Sequence, residues 1–90
     1  MPNPFLTPDP QTARAARTLL DPPEGSTPLE VLGTITELKS RLAAFEAVVV
    51  FAARNENATW DAIGGVVGMT RQNTRRKFAA MQPRLEVKDS

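Results

Sequence analysis

The sequence predicts an all-α fold: a flexible Pro-rich N-terminal arm, a long heptad-patterned helix, and two short helices joined at a glycine. Three observations predict it. Seven of the eight prolines fall within the first 28 residues. Apolar residues from Val31 to Ala52 recur in unbroken steps of four and three, and Gly68 interrupts the last helical pattern just before the most basic segment. The expected bounds are 1–26 for the arm, with room for a short helix at 10–20, then 27–54 for the long helix, 58–82 for the helix pair and 83–90 for a tail.

Within the arm, Pro2, Pro4, Pro8 and Pro10 block regular structure. A short helix can begin with Asp9 as N-cap and Pro10 in the first turn. Ala13, Ala16 and Leu20 would give it a thin apolar stripe, and "DPPEGS" ends it.

The long helix is announced by "TPLE" at Thr27–Glu30. The Thr27 side chain can accept from the Glu30 amide, the Glu30 side chain can accept from the Thr27 amide, and Pro28 sits where a missing N–H is harmless. Along it, Ile35, Leu42 and Val49 take heptad a positions, while Val31, Leu38, Phe45 and Ala52 take d positions. The first half of this stripe has only the arm to cover it, so Val31, Ile35, Leu38, Leu42 and Phe45 are expected to form a homodimer seam. The alternative is an amphipathic helix lying on its own domain. The second half, "AVVVFAA", is apolar on every side, as in a helix wrapped by its own domain.

After the polar "RNEN", Thr59 can cap a helix that starts at Trp60, with Asp61 in its first turn. Trp60, Ile63 and Val67 share one face, with Gly64 beside it. Gly68 is free to take a positive φ at the helix end. Met69 is an apolar plug, Thr70 can cap a second helix from Arg71 to about Met81, and Pro83 marks its end.

Composition excludes several function classes. In 90 residues, 41% hydrophobic and 23% charged, there is neither cysteine nor histidine. A disulfide framework, a thiolate metal site and the usual neutral-pH base are therefore absent. No enzyme activity, metal or cofactor is expected. The N-terminal "MPNPFLTPDPQ" has no basic start or apolar core, and the run from Ala47 to Ala53 is far shorter than a bilayer span. These features predict a cytoplasmic protein without a membrane partner. The net charge of +1 conceals an asymmetry. From Met1 to Ala53 four cations oppose six acids, whereas from Arg54 to Arg84 six cations oppose Glu56 and Asp61. A basic half of this kind suggests an anionic partner.

The run from Trp60 to Phe78, W-x-x-I-G-x-x-x-G-x-T-R-Q at its start, resembles the helix-turn-helix family of small bacterial regulators and sigma-factor-like domains. Gly64 matches the small residue that the family places in its first helix, Gly68 the turn glycine, and Ile63, Val67 and Met69 the apolar residues around them. Asn73–Thr74 departs from the pattern, since the middle of the recognition helix is usually small or apolar there, and Phe78 is left to anchor that helix. The resemblance implies that the second helix enters the major groove of double-stranded DNA. Thr70, Arg71, Gln72, Asn73, Arg75, Arg76 and Lys77 are then the DNA-binding candidates. Gln72 would suit adenine and Arg71 or Arg75 guanine, with Arg76, Lys77 and Arg84 on phosphates. The implied function is sequence-specific binding by a dimeric transcriptional regulator or repressor. The alternatives are a protein-interaction adaptor docking on an acidic partner and a plasmid-partition or chromosome-organising protein.

Overall fold

The structure is a computed structural model and describes residues 6–81. Its elements are α1 (Pro10–Leu20), α2 (Pro28–Asn55), α3 (Trp60–Val67) and α4 (Arg71–Met81), with no strand among the described residues. Pro2 and Pro4 of the expected arm, and the expected tail with Pro83 and Arg84, lie outside the described residues. The chain divides into two compact units, and the division falls inside α2 between Phe45 and Glu46.

In the first unit, α1 begins where Asp9 accepts a 2.8 Å hydrogen bond from the Thr12 amide, with Pro10 at the first turn. Hydrogen bonds from the Thr12 hydroxyl and amide, aided by the Arg41 charge, hold the Asp9 carboxyl below its ordinary pKa of 3.8. The helix ends at Asp21, whose N–H donates to the Arg17 carbonyl. Residues 10–20 are thus a capped helix rather than flexible arm. It runs antiparallel to the first half of α2. Gln11 at its start meets Arg41, whose Nη1 donates to Gln11 Oε1 at 2.9 Å. Leu19 at its end shares a groove with Val31. Arg41 Nε also donates to Glu37 Oε2 at 2.9 Å.

The buried face of α1 differs from the expected stripe. Thr12 and Ala15 are buried, Ala13 and Ala16 are half-buried, and Leu20 is 84% exposed. The reason is chemical. Asp9 satisfies the Thr12 hydroxyl, so a threonine can occupy the inward position that an apolar pattern would assign elsewhere.

At the start of α2 the Thr27 amide donates to Glu30 Oε1 at 2.9 Å, and the Glu30 amide donates to Thr27 Oγ1 at 3.2 Å. This reciprocal pair satisfies two amides that have no partner inside the helix. Along the first half of α2, Val31, Ile35, Leu38 and Phe45 are half-buried and Leu42 is 46% exposed.

In the second unit the core is Val50, Ile63 and Phe78, with Ala53, Ala58, Trp60, Val67 and Met69 packed against it. Ala47 is also buried, and no residue from Ala47 to Ala53 is exposed. Val50, rather than the a-position Val49, is the deepest α2 side chain in this unit. α2 ends in a Schellman turn. Asn57 takes φ 70°, its N–H donates to the Arg54 carbonyl at 2.9 Å, and the Ala58 N–H donates to the Ala53 carbonyl at 3.0 Å. Ala53 and Ala58, which flank the turn, both pack on the core. No helix among the described residues is long and apolar enough to cross a membrane.

Candidate nucleic-acid interface

The interface candidates stand on α4, so its placement comes first. α3 is capped by Thr59, whose Oγ1 accepts from the Ala62 amide at 3.0 Å, with Asp61 in its first turn. It closes at Gly68, φ 77°, a conformation that costs glycine nothing. The Gly68 and Met69 amides both donate to the Gly64 carbonyl, the second at 2.9 Å. Three residues after α3 closes, α4 opens: Thr70 Oγ1 accepts from the Asn73 amide at 3.2 Å.

Two side chains anchor α4. Phe78 is 1% exposed and lies in the core, as the sequence expects. Thr74 is 0% exposed, which the sequence does not foretell. Its hydroxyl donates to the Thr70 carbonyl at 2.6 Å, so a polar residue is buried with its hydrogen bond made. The departure from the helix-turn-helix pattern at this position is therefore an anchor. Its inward location also gives Gly64 a purpose. A Cβ on Gly64 would lie 2.7 Å from Thr74 Oγ1 and 2.6 Å from the Met69 carbonyl oxygen.

With Thr74 and Phe78 inward, the remaining side chains of α4 through Ala80 are exposed: Arg71, Gln72, Asn73, Arg75, Arg76, Lys77, Ala79 and Ala80. At 3.6 residues per turn, Arg76 faces directly away from the buried side, with Gln72 about 40° from it. Arg75 and Lys77 lie on opposite flanks, each about 100° from Arg76. Gln72, Arg75, Arg76, Ala79 and Ala80 line one shallow concavity. No acid occurs between Arg71 and Met81.

Three of the expected cationic and capping residues have partners that alter their reading. Lys77 Nζ stands 3.9 Å from Glu46 Oε1 and 5.0 Å from the centre of the Phe78 ring, so it serves the α2 side of α4 as well as solvent. Thr70 already accepts at its hydroxyl oxygen, which leaves its O–H as a donor. Arg54, counted among the cations of the basic half, covers Trp60 at 4.6 Å and donates to the Ala58 carbonyl at 3.0 Å. Its charge serves the end of α2. Among the described residues no cluster of three His, Cys, Asp or Glu side chains is placed to hold a metal ion. Comparison with protein-family profiles, curated proteins and solved structures gave no match.

Proposed function

We propose that the protein binds double-stranded DNA sequence-specifically as a homodimer, in the role of a small transcriptional regulator, with α3 and α4 acting as a helix-turn-helix. The observation that carries this reading is the two-sided character of α4. Thr74 and Phe78 fix one side in the core, the outward side and its flanks offer Gln72, Asn73, Arg75, Arg76 and Lys77, Arg71 is exposed at the helix start, and no acid stands on the same helix. A cationic helix suits the phosphate field, and a planar amide beside a guanidinium suits base edges in the major groove.

The helix phase supports a division of labour that differs from the one expected from sequence. Gln72 and Arg76, at the centre of the outward side, are the base-reading pair. Arg75 and Lys77, on the two flanks, suit phosphates on the two walls of a groove. Thr70, Arg71 and Asn73 lie around the helix start, where the N-terminal end of a recognition helix meets DNA.

Selection of bound duplexes from random fragments supplies the site, and two variants then test the roles. Gln72→Ala removes no charge and should lose roughly 1–3 kcal/mol on the preferred site, with little change elsewhere. Lys77→Ala should weaken binding on all sequences alike, with the slope of log affinity against log salt falling by about one per site. A dimer doubles both effects. Equal losses on specific and random duplex for both variants would remove base reading from Gln72. Selection that recovers no duplex, together with capture of an acidic protein, would favour an adaptor.

A further inference from the structure

The four cations of α4 are not equivalent. Among the described residues Arg71, Arg75 and Arg76 have no acidic partner, whereas Lys77 Nζ stands 3.9 Å from Glu46 Oε1. The pairing follows from the packing of α2 and α4 in the second unit. Val50 is buried in one core with Phe78. Glu46 lies one turn before Val50, about 40° round the helix, and Lys77 immediately precedes Phe78. The two charges therefore meet at the rim of that apolar contact. The Phe78 ring, 5.0 Å from Nζ, draws the ammonium to the same side.

Position gives the pair its consequence. Lys77 stands on one flank of the outward side, where the wall of a groove would bring a phosphate. Arg75 stands on the other flank, with no acid beside it among the described residues. A phosphate arriving at Lys77 thus meets an ammonium that already has a carboxylate next to it. If the ammonium turns to the phosphate, the ion pair loosens. If it stays, carboxylate and phosphate repel each other. Either course weakens binding, and neither involves a base.

Resting on the DNA reading above, we infer that Glu46 is a positioning residue of the interface: it holds Lys77 on the α2 side and competes with a DNA phosphate for it, so that affinity falls for all duplexes alike. Both side chains stay partly in solvent, 46% exposed for Lys77 and 41% for Glu46, so the lysine can be released. Exposed pairs of this kind shift an equilibrium by up to about fivefold. The two flanks then act unequally, Arg75 at full strength and Lys77 attenuated.

A double-mutant cycle on the full chain tests this, with wild type, Glu46→Gln, Lys77→Ala and the double variant each titrated onto the selected duplex and a random one. Circular dichroism should show unchanged helix content, since Glu46 lies outside the core. Glu46→Gln should tighten binding about threefold per subunit on both duplexes. In the Lys77→Ala background the same change should tighten it less, because no pair is left to break. Glu46→Ala should act as Glu46→Gln does. Equal gains in the two backgrounds would make Glu46 a mere bulk charge and overturn the competition. Weaker binding by Glu46→Gln would overturn it in the other direction, with Glu46 presenting Lys77 to DNA. Unchanged affinity in Glu46→Gln, beside a loss of base reading in Gln72→Ala, would remove the competition and leave the DNA reading standing. A wild type that binds no duplex would remove both.

Discussion

Thr74 and Gly64 interlock: the threonine hydroxyl lies 2.7 Å from the place a Cβ on Gly64 would take. The Met69 carbonyl oxygen, 2.6 Å from the same place, is backbone and cannot swing aside. Gly64→Ala should therefore push α3 and α4 apart and destabilise the second unit by about 1–3 kcal/mol or more. Gly65, its neighbour, is exposed, and a Cβ added there would meet nothing within 4 Å. Gly65→Ala should stabilise α3 by about 0.5–1 kcal/mol through helix propensity and unfolded-state entropy. Urea denaturation of the two variants should move in opposite directions. A destabilised Gly65→Ala would show that its open side is used in a way the free chain does not reveal.

Asn57 holds φ 70° at the end of α2. Asparagine tolerates this conformation better than most residues and glycine better still. Asn57→Gly should be neutral or stabilising by a few tenths of a kcal/mol, and Asn57→Ala should destabilise by about 1 kcal/mol. A β-branched residue such as valine should be worse than alanine. Thermal melts of the three variants give the ranking, and alanine equal to glycine would contradict a left-handed turn at this position.

Asp9 predicts a pH dependence confined to α1. Its folded pKa is depressed by the Thr12 hydroxyl and amide, and further by Arg41. A depressed carboxyl stabilises the fold above its unfolded value and loses that contribution as pH falls through the folded value. The cap should hold from neutral pH down to the ordinary value of 3.8 and weaken below it. Asp9→Asn keeps an oxygen for the Thr12 amide and removes the titration. In NMR spectra between pH 7 and pH 2, the α1 amides of the wild type should respond to a group that titrates below 3.8, and those of Asp9→Asn should not. A titration of Asp9 above that value would reverse the sign.

What the sequence made legible was local. The Thr27–Glu30 cap, the Thr59 and Thr70 caps and the Gly68 turn each depend on residues within a few positions, so pattern alone finds them. Phase was harder. Within "AVVVFAA" every position is apolar, so periodicity carries no information about which valine faces the core, and packing against Ile63 and Phe78 selects Val50. Thr12 and Thr74 were missed as inward residues because their hydroxyls are paired at short range, to Asp9 and to the Thr70 carbonyl. Arg54 shows the same limit for charge. Counting cations along the chain could not reveal that one of them lies over Trp60. Of the site, the exposed residues of α4 were readable from spacing, whereas the flank position of Lys77 and its neighbour Glu46 needed three dimensions.

The stacking of Arg54 on Trp60 has a spectroscopic consequence. Trp60 is the only tryptophan, the chain has no tyrosine, and the indole sits half-buried at the edge of the second unit's core. Its emission therefore reports the surroundings of Ile63 and Phe78 and carries no direct signal from α1, whereas far-ultraviolet ellipticity sums all four helices. Recorded together during one denaturation, the two signals can separate the two units without any added label. Coincident curves would mean that α2 transmits unfolding from Glu46 to Phe45 as a single cooperative event. Displaced curves would give each half its own stability.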